Sequence, residues 1–242
     1  MATATTPFPK VDIRPVSSLD SDASRLYTHI HPLLLLSTYL LQFKEIVADP
    51  ESALASMLIP LVVLQLLYNV VCLPPVGSPT AKPSTTKSIG KKKPGGPVGA
   101  PISKRITTSL LASIVTILIG TPILTTLLIL FGAPLTTHFR HTVLCAAHIS
   151  LLAGLPLTYV HGIEMESWRR ISALMLPIDE VFGAAVGTIL GAWLGAIPIP
   201  LDWDREWQKW PVTIVTGAYI GWAVGKIAGR YLLHGKIIDL SG

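Results

Sequence analysis

Charge is the scarcest property of this chain. Asp, Glu, Lys and Arg make up 14% of its 242 residues, while half are hydrophobic; an ordinary soluble domain is about a quarter charged. A water-soluble fold of this length cannot hide that much apolar surface, so a soluble catalytic domain is excluded and lipid is the solvent that fits. Cysteine is nearly absent too. Cys72 and Cys145 are the only two, and they fall near opposite faces of the bilayer in the topology derived below, which separates them too far for a disulfide. The single asparagine, Asn69, is followed by Val70 and Val71, leaving no glycosylation acceptor. The opening residues are polar and proline-containing and lack the short apolar run of a cleaved signal peptide. The first spans are therefore expected to act as uncleaved insertion signals.

What is present is a series of apolar runs. A spanning helix needs about 20 mostly apolar residues to cross a hydrocarbon core about 30 Å thick. Residues 53–73, 106–131, 141–160, 178–197 and 212–233 meet that requirement. Residues 26–47 form a weaker run, strongest over 33–41, whose Lys44 can snorkel to the interface. The expected fold is an all-α polytopic membrane protein with about six transmembrane helices. With six spans, Lys10, Arg14 and Arg25, the loop cations Lys82, Lys87, Lys91, Lys92, Lys93, Lys104 and Arg105, then Arg169, Arg170 and Lys236, share one face. The other face has only Lys44, Arg140, Arg205 and Lys209. This asymmetry places both termini in the cytosol.

The expected organisation is a polar N-terminus (1–25), two spans (26–73), a basic linker (74–105), a four-span core (106–233) and a cytosolic tail (234–242). The linker is rich in Pro, Gly, Ser, Thr and Lys and has no acidic residue. It cannot bury enough apolar area to offset chain entropy, so disorder is expected. Its lysines read either as a polybasic contact with anionic lipid or as a solvated linker obeying the topology rule.

The most informative pattern lies in the last two spans. Gly183, Gly187, Gly191 and Gly195 recur at a spacing of four, as do Gly217, Gly221, Gly225 and Gly229. That spacing lays each quartet along one helix face, where another backbone can approach closely. The two faces either pack on each other as a tight antiparallel hairpin or receive a helix from another subunit. Asp179 and Glu180 open the fifth span, and Lys226 and Arg230 lie near the end of the sixth. A hairpin brings them to one depth, where an Asp179–Arg230 or Glu180–Lys226 ion pair would act as a clamp; a lipid-headgroup site built on the same cations is the other reading.

The loop between these spans holds three of the six tryptophans, Trp203, Trp207 and Trp210. Trp203 and Trp207 are four apart and would share one side of a short interfacial helix capped by Asp202, with Pro211 in the first turn of the next span. The tryptophans read as membrane anchors. Their interleaving with Asp202, Asp204, Arg205 and Glu206 also suits docking of a partner or a lipid headgroup.

The run Gly187-Thr188-Ile189-Leu190-Gly191-Ala192-Trp193-Leu194-Gly195-Ala196-Ile197-Pro198-Ile199-Pro200-Leu201-Asp202-Trp203-Asp204-Arg205, followed by Trp207, Gln208, Trp210 and Pro211, resembles the phosphatidylinositol-glycan class F family. Its fungal members are glycosylphosphatidylinositol (GPI) anchor biosynthesis proteins. The detailed match covers about residues 141–233. The resemblance implies an endoplasmic reticulum membrane protein that acts as a non-catalytic partner of the enzymes transferring ethanolamine phosphate to mannoses of the anchor precursor. That chemistry is lumenal, and the charge-derived topology independently puts the Trp-rich loop on the lumenal side.

Little in the residues argues for catalysis by the chain itself. His138, His141, His148 and His161 are scattered around the fourth span without a repeating carboxylate partner, so a metal site is not expected and satisfied histidines are the better reading. No GxSxG elbow, HExxH or P-loop occurs, and no cofactor or nucleic acid is called for. The expected partners are the transferase and endoplasmic reticulum lipids, including the GPI precursor or phosphatidylethanolamine if the loop contacts substrate. An autonomous enzyme acting on phospholipid headgroups through Asp202, Asp204 and Arg205, and a lipid transporter or scramblase, are the alternative classes.

Overall fold

The computed structural model describes residues 14–78, 100–201 and 203–238. Among them the chain is all-helical, with seven helices: α1 Asp22–Ala48, α2 Pro50–Cys72, α3 Ile102–Leu130, α4 Phe139–His161, α5 Met165–Ser172, α6 Glu180–Leu194 and α7 Val212–Leu232. Four of these, α2, α3, α4 and α7, are long and apolar enough to cross a membrane. The chain is a polytopic membrane protein. The 27-residue α1 is long enough but more polar, and α6 is apolar but has 15 residues before its last turns loosen toward Pro200.

Six of the helices alternate in direction, so the bundle has an end carrying Asp49 and an end carrying Asp179. The helix α4 is the centre: 78% of its apolar window is buried, against 22% for α3 on the rim. It packs on α2, α3, α6 and α7, while α1 lies against α2 and α7. The α1–α2 turn is the single residue Asp49, whose carboxylate caps α2 through Glu51 and Ser52 N–H groups at 3.2 and 3.4 Å. Hydrogen bonds from Ser52 hold this carboxyl below the usual carboxylate range.

Of the helix-interior prolines Pro32, Pro60, Pro122 and Pro156, the last two sit beside a local widening of their helix. Pro122 and Pro156 have no N–H for the carbonyl four residues back, and their rings crowd it. Each helix has one wide turn just before the proline, Thr116–Gly120 in α3 and Ser150–Gly154 in α4. The Thr121 N–H reaches back to Thr116 and the Leu155 N–H to Ser150, five residues rather than four. The two wide turns face each other: a methyl on Gly120 would lie 3.3 Å from Ser150 Oγ. Both prolines follow Gly-Xaa, a pairing not singled out in the sequence.

The helix α3 starts at Ile102, not at 106 as expected, so Lys104 and Arg105 lie inside its first turns. Residues 74–78 are held by the chain, with Val76 N–H donating to the Tyr159 carbonyl at 2.9 Å. The rest of the expected linker, 79–99, lies outside the described residues. The amphipathic helix α5 was not anticipated; Arg170 bonds Glu166 at 2.8 Å and holds that carboxyl below its usual range.

Segments near both ends of the described chain, at Val16 and at 235–236, converge on residues 178–179. Val16 N–H donates to Asp179 Oδ2 at 2.8 Å, and Ile178 exchanges backbone bonds with Gly235 and Lys236 at 2.7 and 2.8 Å. The other Asp179 oxygen caps α6 through Val181 and Phe182 N–H groups at 2.9 and 2.8 Å. Asp179→Ala removes cap and strap together and should cost about 1–2 kcal/mol in a thermal unfolding assay in detergent. Asp179→Asn keeps a capping oxygen but presents no second acceptor to Val16. It should leave the unfolding midpoint nearly unchanged while the Val16 amide exchanges faster with solvent deuterium.

Candidate functional site

The α6–α7 hairpin is the most tightly joined pair of elements. Its two glycine stripes face each other: a Cβ on Gly187 would lie 2.8 Å from the Gly225 Cα, and one on Gly191 2.8 Å from the Gly221 Cα. Gly183 meets Gly225 and Gly229, Gly195 meets Thr213 and Ile214, and Gly217 meets Gly191. The obstacles are backbone atoms, which cannot swing aside as a side chain can. Beside this seam a groove of about 790 Å³ follows the hairpin from Pro198 and Trp207 to Leu233 and Ile238, walled by Val186, Leu190, Ile220 and Val224.

At the Asp179 end the hairpin brings the four expected charged residues together, with a different pairing. Arg230 Nη1 donates to Glu180 Oε2 at 2.9 Å. Asp179 is spent on the helix cap, and Lys226 lies with its ammonium 3.4 Å from the centre of the Tyr68 ring and 5.6 Å from that of Trp222. The expected Asp179–Arg230 and Glu180–Lys226 pairings therefore give way to Glu180–Arg230. The longer Glu arm reaches the cation, whereas the short Asp arm serves its own helix start. His31, to which the sequence alone assigns no role, stacks on the same Tyr68 ring at 4.5 Å and meets Trp222 edge-on at 5.3 Å. Aromatic residues scattered over α1, α2 and α7 carry no local spacing signal, so only packing reveals this box.

At the Asp49 end, the Trp-rich loop is not the short helix expected. It holds one tight turn, Glu206–Gln208. Trp203 and Trp207 still meet, at 5.9 Å between ring centres, and Pro211 lies just before α7 rather than inside its first turn. Asp202 lies outside the described residues. The organiser is Gln208, given no role in the sequence reading: its side chain accepts from Arg205 N–H at 2.9 Å and donates to the Pro198 and Leu201 carbonyls at 2.8 and 2.7 Å. Lys209 ties the loop to the α1–α2 turn through the Ala48 carbonyl at 3.2 Å. Trp210 packs on the core, whereas Trp203, Asp204, Arg205 and Glu206 face outward.

His148 is buried, with Nδ1 2.9 Å from the Tyr219 hydroxyl and Nε2 3.0 Å from the Leu54 carbonyl. His138 and His141 meet edge-on at 5.1 Å. Among the described residues no three His, Cys, Asp or Glu side chains converge on a point that would hold a metal ion, and both cysteines are free and buried.

This architecture, a glycine-seamed hairpin closed by a Trp-rich loop, can be set beside known proteins. Residues 30–230 match the GPI biosynthesis protein family Pig-F. The chain belongs to this family. The match takes in most of α1 and all of α2 as well as the core in which the motif lies. Among Pig-F relatives, glycosylphosphatidylinositol anchor biosynthesis protein 11 of Neurospora crassa is 45% identical over 224 residues, 93% of this chain and 81% of that protein. Its counterpart in Aspergillus fumigatus is 43% identical over 264 aligned residues, 97% and 89% of the two chains. A Schizosaccharomyces pombe PIGF/3-ketodihydrosphingosine reductase fusion protein is 43% identical over 127 residues, 51% of this chain and 25% of that one. No solved structure matches.

Two substitutions test this geometry. Gly191→Ala puts a methyl into the backbone of Gly217 and Gly221 and should destabilise the fold by about 1–3 kcal/mol. Gly154→Ala, whose methyl would meet only the Thr116 methyl at 3.5 Å, should leave the unfolding midpoint in detergent nearly unchanged. Across the ion pair, a double-mutant cycle of Glu180→Gln and Arg230→Gln should return a coupling of about 1–3 kcal/mol; a coupling near zero would show that the pair does not clamp the hairpin.

Proposed function

We propose that this Pig-F family member is a non-catalytic subunit that stabilises or positions an ethanolamine-phosphate transferase in the endoplasmic reticulum membrane. In this reading α1, α2, α3, α4, α6 and α7 all span the membrane, with both termini cytosolic. The Asp49 end, with its Trp-rich loop, then faces the lumen. The observation that carries the proposal is how the charged and polar groups are spent. Glu180 binds Arg230, Asp179 caps α6 and holds the N-terminal strap, and His148 binds Tyr219 and Leu54. Each of these groups is turned inward to hold the bundle, so none is presented to a substrate.

What faces outward is suited to contact. The rigidly stapled loop presents Trp203, Asp204, Arg205 and Glu206 at one rim, where a lumenal enzyme domain or a lipid headgroup would meet it. Family membership supports the pathway, and the transferase as partner follows from the resemblance of the Gly187–Pro211 motif. A lipid contact by Asp202, Trp203, Asp204, Arg205, Trp207 and Trp210 belongs to the same proposal.

Affinity purification of the tagged chain in mild detergent should recover a large ethanolamine-phosphate transferase in stoichiometric amount. Replacing Trp203, Arg205 and Glu206 by Ala together should reduce that recovery while the chain's own yield stays the same. Recovery of the intact, folded chain alone, or transfer activity in the purified chain by itself, would overturn the subunit assignment.

A further inference from the structure

The helix α3 is built inside out for a span at the edge of a bundle. Its buried residues are Ser109, Ala112, Ser113, Thr116, Thr121 and Thr125, whereas Leu110, Ile114 and Leu118 are exposed. The hydroxyl-bearing face runs from 109 to 125, about 24 Å at 1.5 Å per residue. What it meets is polar too. Asn69 Nδ2 of α2 donates to Ser109 Oγ at 3.3 Å, and Thr116 Oγ1 donates to Thr158 Oγ1 of α4 at 3.5 Å. Both bonds are longer than such pairs ordinarily make.

The rest of this interface is held less well still. Ser113 and Thr125 spend their hydroxyls on carbonyls of their own helix, at Leu110 and Thr121, at 2.7 and 2.8 Å. Asn69 Oδ1, Ser150 Oγ and Thr121 Oγ1 are buried without a partner in the chain, as is Oε1 of Gln65, one turn from Asn69 on the same face of α2. In the closed arrangement these atoms are out of reach of water, and each costs free energy by being unpaired. Parting the helices lets water pair them, so opening here is cheaper than at an interface whose groups are all satisfied. The helix also has a place to bend: the wide turn Thr116–Gly120, with Pro122 just after it, interrupts the regular ladder in mid-span, and helices kink at such sites. On one side of that turn lies the half Ile102–Val115, whose first turns carry Lys104 and Arg105, two cations suited to the membrane surface.

We infer that this half of α3 is a lateral gate, which transiently swings on the Thr116–Pro122 turn away from α2 and α4 and opens a water-filled cleft from the Ile102 end to Asn69, Gln65 and Ser150. Chemistry selects water as the occupant. The lining consists of uncharged amides and hydroxyls, and its unpaired atoms include oxygens that only accept and hydroxyls that also donate; water serves both, and acyl chains serve neither. The gate goes beyond the subunit reading and does not depend on it.

The test is thiol labelling by a charged, membrane-impermeant maleimide, applied to the full-length chain in lipid nanodiscs, where both faces of the bilayer meet the reagent. Ser113→Cys, in the gate, is compared within one molecule with the native Cys145, which is free and fully buried in α4. Ser113→Cys should react about tenfold faster than Cys145, while Leu118→Cys, on the lipid-facing side of the same helix, stays as slow as Cys145. Equal rates at Ser113→Cys and Cys145, both slow or both fast, would overturn the gate. Fast labelling of Leu118→Cys would overturn it as well, because α3 would then be leaving the bilayer rather than swinging within it. Where Ser113→Cys lowers the unfolding midpoint, Ser109→Cys is read in its place by the same comparison. Asn69→Leu with Ser109→Ala makes that part of the interface apolar and should slow Ser113→Cys labelling about tenfold; an unchanged rate would show that the unpaired amide does not drive opening and would sink the mechanism.

Discussion

The backbone-to-backbone contact of α6 and α7 is the constraint from which the rest of the structure follows. Water does not drive helices together inside a bilayer, since lipid tails are as apolar as leucine. Close packing has to supply the association, and it is greatest where nothing but hydrogen projects from the Cα atoms. Eight glycines and the backbone of Thr213 and Ile214 provide that surface over the length of the hairpin. Because the two helices are antiparallel, their start and end fall at one depth, and Glu180 meets Arg230 there. At the other end the same closeness leaves a short loop to turn the chain, and Gln208 fills it with three hydrogen bonds to its own backbone.

Several other ionisable groups are set against partners, as a costly side chain in hydrocarbon requires. His148 has two, Asp179 has three backbone N–H groups, and the Lys226 ammonium lies on the Tyr68 face. Together with the paired wide turns that precede Pro122 and Pro156, these contacts fasten α1, α2 and α3 onto the α4–α6–α7 core. They explain how a chain whose outer helices are mostly lipid-exposed keeps one arrangement.

The proposed subunit role accords with the way this scaffold spends its polar groups. Its polar chemistry points inward and holds the bundle, whereas its outward surfaces are a stapled Trp-rich rim and a full-depth apolar groove.

Much of this was legible in the sequence because it is written at short range. Apolar runs of spanning length, glycines every fourth residue and the lysine asymmetry are local or periodic signals, and the long Gly187–Pro211 motif carried the family. What the sequence left open depends on distances between helices. Either glycine face could have met its neighbour or a partner; only packing shows that they meet each other and leave a groove beside the seam. Arm length and the demands of the α6 N-terminus chose Glu180 rather than Asp179 for Arg230. The His31–Tyr68–Trp222–Lys226 box draws on three helices, so no window of the sequence contains it. Composition and periodicity determined that the chain lives in a membrane and which faces are smooth, because those properties belong to single helices; which groups touch was decided by tertiary structure, because a contact belongs to two.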